Sequence, residues 1–235
     1  MTATPIGPQN LSIMKGVVSI LTSAPLIQRW QPSTTYAVGA QVINFNPSPA
    51  TGEWPWSVYT CSTAGTSAST GGPTGITTAI VDGTAHWDYD AFTDVGEVEE
   101  FSTEVKDTRA DYHTNRSGAV TIVATALTAR VSEMSAKLKE MTIENLALCG
   151  VGSMGGTAPH RYFKLGDASP ANMAWQFLGK NTIGNKFQMI IPRCQIIPGK
   201  LQWVSKEFAD LPITGKNLAV DNDGYAFGYG AELNY

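Results

Sequence analysis

The chain has 235 residues, 43% of them hydrophobic and only 15% charged, with a formal net charge of −4. That length holds one large domain or a domain with a smaller companion, and the apolar fraction excludes wholesale disorder. The acidic balance and the lack of any basic run exclude a protein that grips nucleic acid through its phosphates.

The opening MTATPIGPQN has no charged, then apolar, then small-residue order, so no signal peptide is expected. No run approaches the ~18 apolar residues of a membrane-spanning helix. The 23 glycines and 13 prolines point to many turns and therefore to β structure. Gly16–Leu21 (GVVSIL) is the first apolar run of strand length, and Pro25 ends it.

Composition changes at residue 28 and again after Phe92. Between them lie a single basic residue, Arg29, four acids (Glu53, Asp82, Asp88, Asp90) and four of the six tryptophans (Trp30, Trp54, Trp56, Trp87). This stretch reads as an inserted small β-domain, 28–92, with seams near Leu26 and Phe92. It carries strand signals at Ala40–Phe45, Ser57–Cys61 and Ala85–Tyr89 and a tight turn at Asp82-Gly83. So small a unit is marginal alone, and its aromatic load compensates. As a peripheral unit, it is expected to be removable without harm to assembly of the rest.

The main body, 1–27 and 93–235, resumes with two long strands expected over Val98–Asp107 and Val120–Glu133, separated by a polar loop at 108–118. Thr142 is the expected N-cap of a helix over Ile143–Cys149, with Gly150 as its left-handed stop. Ile143, Leu146 and Ala147 share the face that packs on the sheet. GVGSMGGTAP reads as a loop. Further strands are expected at 186–191, 201–206, 216–220 and 225–233, with a hairpin turn at Asp223-Gly224. The fold class is mainly β: a β-sandwich with a flanking α-helix, plus the inserted small β-domain.

No set of residues points to chemistry. Gly150, Gly152 and Gly155 match the dinucleotide fingerprint in spacing, but they follow a helix where the motif requires a strand before and a helix after. Asp221, Asp223, Gly224 and Glu232 fall short of a calcium loop because the glycine stands at position 4 instead of 6. His86, His113 and His160 lack i+4 partners, and Cys61, Cys149 and Cys194 are too scattered for a metal site or a disulfide framework. No catalytic residue, cofactor or metal is therefore assigned, and free buried thiols are expected. Glu97, Glu99, Glu100 and Glu104 could in principle supply paired carboxylates for glycoside chemistry. Strand alternation offers a simpler account. Glu100, Ser102, Glu104 and Lys106 share one polar, net acidic face, and Phe101, Thr103 and Val105 share a buried one.

Two resemblances cover most of the chain. DVGEVEEFS, the polar loop ending in Ser117-Gly118, ENLALCG, and FLGKNTIGNKFQMIIPRCQIIP followed by KEFADLPITG, in that order, resemble phage tail tube proteins over 1–27 and 93–235. The resemblance implies a structural subunit, not an enzyme: a sandwich with a flanking helix that assembles into stacked hexameric rings and forms the conduit for genome delivery. It implies that Glu100, Ser102, Glu104 and Lys106 face the lumen. It also implies that Arg109, Asp111, Tyr112, His113, Asn115 and Arg116, in a loop ordered only on assembly, stack one ring on the next. Partners would be other copies of the chain, the tail initiator or distal tail protein, the terminator, the tape measure protein in the lumen, and DNA passing without sequence-specific contact. The location would be the virion tail, with synthesis in the host bacterial cytoplasm. The second resemblance is of 28–92 to small chitin-binding-type modules, through Trp30, Thr35-Tyr36-x-x-Gly39-x-x-Val42, Val58-Tyr59, Pro73, Asp82-Gly83 and Trp87. It implies decoration of the tube exterior and makes Trp54 and Trp56 the candidates for contact with a host surface glycan. The alternative function is a carbohydrate-binding or adhesion module on a β scaffold.

Overall fold

A computed structural model describes residues 11–13, 16–22, 26–114, 121–140, 142–149, 152–157, 159–166, 172–180, 185–198, 211–220 and 226–233. The protein is mainly β. The larger sheet is built from β1 (Leu11–Ile13), β2 (Gly16–Leu21), β10 (Thr93–Thr114), β11 (Thr121–Leu138), β14 (Asn172–Lys180), β15 (Lys186–Pro198), β16 (Leu211–Asn217) and β17 (Tyr229–Leu233). Its order is β1-β10-β11-β16-β15-β14-β2, and β2 also pairs with β10. The pairing path therefore closes on itself through six antiparallel strands, β2, β10, β11, β16, β15 and β14. Closure removes the open edges that a sheet must otherwise protect. β1 extends the side of β10 occupied by β2, and β17 shares an edge of β15 with β16.

Period-two alternation explains the interior. Val18 and Ile20 on β2, Met134, Ala136 and Leu138 on β11, and Leu211 and Ile213 on β16 all point inward, with polar or exposed residues between most of them. Phe101 and Phe177 stack at 4.6 Å near the centre. The helix α1 (Ile143–Leu148) plugs this core with Leu146, beside Cys149. Thr142 caps it as expected, its hydroxyl accepting from the Asn145 amide at 3.0 Å. The Asn145 side chain donates to the carbonyls of Val95 and Glu140, each at 2.8 Å, and so ties the helix to the barrel wall. The helix is one residue shorter than expected, with Cys149 as its C-cap; Gly150 lies outside the described residues.

The smaller sheet comprises β3 (Gln28–Arg29), β5 (Gln41–Phe45), β6 (Trp56–Thr63), β9 (Ala85–Tyr89) and β8 (Ile80–Asp82), in that order, beside the pair β4 (Thr35–Tyr36) and β7 (Gly65–Thr66). Its own core holds Tyr36, Val42, Tyr59, Cys61, Ala85 and Trp87. The Asp82-Gly83 turn is present between β8 and β9. The Asp82 carboxylate is buried and accepts from both indoles, Trp30 at 2.8 Å and Trp87 at 3.2 Å, and from the Ala68 amide at 2.9 Å. Gly83 sits at φ +67, and a side chain there would run into the Thr66 carbonyl.

Three expectations about elements are corrected, and so is the burial expected of Val105, which is 50% exposed where β10 leaves the barrel. The polar loop at 108–118 is much shorter, because residues 108–114 continue β10 and pair with β11. The glycine-rich segment after the helix is a hairpin, β12 (Gly152–Thr157) with β13 (His160–Leu165), not a loop. Its glycines serve close approach: a Cβ on Gly152 would sit 2.1 Å from the Lys164 carbonyl, and one on Gly155 2.6 Å from the Tyr162 ring. The third is an omission: β14 had no predicted counterpart. Strand 201–206 and the Asp223-Gly224 turn lie outside the described residues.

Candidate functional site

The site of interest is the arm made by the outer halves of β10 and β11. β1 stops pairing at Thr103 and β16 stops at Ser132, but β10 and β11 remain paired out to Thr114↔Thr121. Eleven residues of extended chain carry the ribbon about 35 Å past the barrel. All described side chains from Glu104 to His113 and from Ala124 to Val131 are exposed. Two bulges lie in the ribbon, between Thr108 and Arg109 and between Tyr112 and His113, and a third lies in the barrel between Val98 and Glu100.

At its root, one face carries Glu100, Ser102, Glu104 and Lys106, as alternation requires. The register sets them against Lys137, Ser135, Glu133 and Val131. Glu104 and Glu133 stand directly opposite each other, an arrangement that repels unless a cation intervenes. Lys106 supplies it, with Nζ 3.1 Å from Glu104 and 3.0 Å from Glu133, and hydrogen bonds to Glu133 and Glu104 raise the Lys106 pKa. Ser102 and Ser135 share a hydroxyl hydrogen bond of 2.7 Å, and Lys137 lies 3.8 Å from Glu100. β16 extends the rows with Thr214 beside Ser135 and Lys216 beside Glu133. Ser102, Glu104, Glu133, Ser135, Thr214 and Lys216 line a shallow groove of about 230 Å³ on this face. The expected net acidity belongs to β10 alone. Across the sheet, Glu100, Glu104 and Glu133 are balanced by Lys106, Lys137 and Lys216.

Further out the same face turns small and apolar, with Ala110 and Tyr112 opposite Ala126 and Ala124, and Val131 and Ala129 nearer the barrel. Tyr112 is 69% exposed and Val131 42%. The reverse face is charged. Arg130 holds Asp107 with a two-pronged fork at 2.6 and 2.9 Å, and Arg109 approaches to 3.8 Å. The Arg130 hydrogen bonds hold the Asp107 carboxyl below the usual carboxylate range. Asp111 accepts from the Thr125 hydroxyl at 2.8 Å. The arm therefore brings together Arg109, Asp111, Tyr112 and His113 but divides them between two faces. Asn115 and Arg116 lie outside the described residues. Sequence reasoning missed Glu133, Arg130, Lys137 and Lys216, because only the cross-strand register reveals them.

The two candidate glycan tryptophans part company. Trp56 opens β6, and it fastens the small sheet to the barrel. Its backbone N–H donates to Gln188 Oε1 at 2.9 Å, and its carbonyl accepts from Gln188 Nε2 at 2.8 Å. Its indole donates to the Gly230 carbonyl at 3.1 Å. Its ring lies 4.5 Å from Tyr229 and carries the Arg29 guanidinium at 4.6 Å. Around it, Ile27, Ile43 and Val58 share one apolar cluster with Ala174, Ile190, Val220 and Tyr229 of the barrel side. Trp54, by contrast, is half-buried and makes no hydrogen bond or ring stack among the described residues. No protein-family model matches the chain, and no curated protein matches it.

Proposed function

We propose that this protein is a structural subunit of a phage tail tube, assembling as stacked hexameric rings that form the conduit for genome delivery. The observation that carries the reading is the arm. A two-stranded ribbon is marginal on its own, and its open edges are templates for another strand. Lateral repetition in a closed ring removes both liabilities. In this reading the root face of Glu100, Ser102, Glu104 and Lys106 lines the lumen. Balanced charge and hydroxyl groups there leave DNA phosphates no cationic anchor. The distal arm, with Arg109, Asp111, Tyr112 and His113 and with Asn115 and Arg116 beyond them, meets the next ring. The tube domain is 1–27 with 93–235, the expected sandwich closed at its edges through the six-stranded path, and 28–92 decorates the exterior.

The subunit performs no catalysis and uses no cofactor or metal. It resides in the virion tail after synthesis in the host cytoplasm. Its partners are its own copies, the initiator or distal tail protein, the terminator, and the tape measure protein that fills the lumen before DNA replaces it. The alternative, an adhesion module as the whole function, loses half its platform because the Trp56 ring is packed against the barrel.

A shortened arm tests the reading. Lys106 and Val131 face each other across the ladder, so residues 107–130 can be replaced by an Asn-Gly turn. The expected product folds, melts near the parent temperature and stays monomeric at concentrations where the full chain assembles. Assembly of the shortened protein to the same extent as the parent contradicts the role given to the arm.

A further inference from the structure

A cleft of about 1020 Å³ opens between the turn that carries Trp54 and the wall formed by β2, β10 and β14. Its floor is apolar. Glu97, Val17 and Leu178 stand side by side across β10, β2 and β14, and because Val98, Val18 and Phe177 point into the barrel core, these three point outward. Val17, Leu178 and the half-buried Trp54 therefore enclose an apolar recess on the flank of the barrel.

Charge bounds the recess on two sides. Glu97 bounds it on β10. Lys180, two residues along from Leu178 on the same face, bounds it on β14. Both side chains are exposed, and neither makes an ion pair among the described residues. Glu99 and Lys139, also on the rim, neutralise each other at 2.6 Å. An occupant that fits brings an apolar side chain flanked by a cation and an anion.

The charged face of the arm has that pattern. Leu127, 50% exposed, stands directly opposite Arg109, and Asp111 follows two residues on along the same face. Arg109 reaches Asp107 only at 3.8 Å, and Arg130 already grips that carboxylate with both prongs. Asp111 is met by the Thr125 hydroxyl and by no cation among the described residues. The lengths agree as well. Glu97 lies about 13 Å in from the Thr93 end of β10, and Arg109 lies about 20 Å beyond Thr103, where β1 stops pairing. In two copies stacked head to tail, Arg109 of one comes level with Glu97 of the next when their barrels stand about 7 Å apart.

We infer that the charged face of the arm docks in this cleft of the next copy along the stack, with Leu127 on Val17 and Leu178, Arg109 against Glu97 and Asp111 against Lys180. The inference rests on the reading of the arm as the contact between rings and names the surface that receives it. A contact that joins two different surfaces repeats without closing, which is the growth a tube requires.

Disulfide trapping on the full-length protein tests it. Val17→Cys and Leu127→Cys proteins are purified separately, mixed at an assembling concentration and mildly oxidised; the native thiols are buried and take no part. Peptide mass mapping is expected to find the disulfide between positions 17 and 127, which in this mixture forms only between copies. Charge reversal is a second measurement that needs no new thiol. Glu97→Arg should raise the concentration needed for assembly about fivefold, and adding Arg109→Glu should bring it back to within about twofold of the parent, at unchanged melting temperature. Assembly of the mixed cysteine proteins without that disulfide, or a doubly reversed protein no better than Glu97→Arg alone, overturns the docking and leaves the arm reading standing. A parent that never assembles, or that assembles equally well with its arm shortened, overturns both together.

Discussion

At the scale of single residues, Gln188 has the largest structural consequence for its size. It is fully buried on β15, and its amide completes the backbone hydrogen bonds of Trp56 as a neighbouring strand would. Gln188→Ala removes both partners and leaves a partly buried N–H and C=O unsatisfied. The expected loss is about 3 kcal/mol, read as a shift in urea midpoint. A loss below ~1 kcal/mol would mean that water replaces the amide without penalty. The thiols give a pH prediction. Cys61, Cys149 and Cys194 are free and buried, as the sequence led one to expect, and burial pushes Cys149 and Cys194 up to about 12. Unfolded, such thiols ionise near ~8.5, so the unfolded chain loses protons that the fold retains. Their contribution to stability is intact below that pH and declines as pH rises toward 12. Ellman's reagent should leave the native protein unmodified at pH 8 and titrate three thiols in guanidinium. Rapid native reaction would show that the barrel opens around Cys149 and Cys194 or the small sheet around Cys61.

At the scale of elements, legibility followed burial. β2 and β9 were readable because GVVSIL and AHWDY are short apolar or aromatic runs bounded by turn residues, and α1 was readable because Thr142 announces its start. β14 was not, since Ala174 and Gln176 face the small sheet while Trp175 and Phe177 face the barrel core. A strand buried on both sides shows no alternation. The arm failed for the opposite reason. With both faces exposed, Thr108–His113 has no hydrophobic period, so its polarity reads as a loop. The root-face residues Glu100, Ser102, Glu104 and Lys106 were found by alternation, but the ion-pair ladder that neutralises them depends on register and bulges that no local pattern encodes. Two predictions belong here. Tyr112→Asp with Val131→Asp should abolish assembly in sedimentation velocity while changing stability by less than about 0.5 kcal/mol, because neither side chain is packed within the subunit. A stability change well above that value would mean that the arm folds back on its own barrel. Amides of 104–113 and 124–131 should exchange hydrogen quickly in the free subunit and slowly after assembly. Equal protection in both states would leave the arm without a partner.

At the scale of the whole molecule, the small sheet has its own core but also lends one to the barrel. Ile43, Val58 and Trp56 cover Ala174, Ile190 and Tyr229. Simple removal of 28–92 with a short linker therefore uncovers an apolar patch, and the truncated barrel is expected to aggregate. Removal combined with Ile190→Thr and Tyr229→Ser should restore solubility and permit a fair test of whether the small sheet is dispensable for assembly. If the double substitution brings no gain in solubility, the shared cluster is not what the deletion exposes.

The central claim is that identical copies assemble through the arm into a tube. Negative-stain electron microscopy of the concentrated, purified full-length protein, with the arm-shortened protein beside it, tests this most directly. The expected images show stacked rings or tubes with a central channel and peripheral knobs for the full chain, and single particles for the shortened one. Tubes from both proteins, or a full chain that remains as separate single particles even when a tail-tip initiator complex is supplied, would contradict the account.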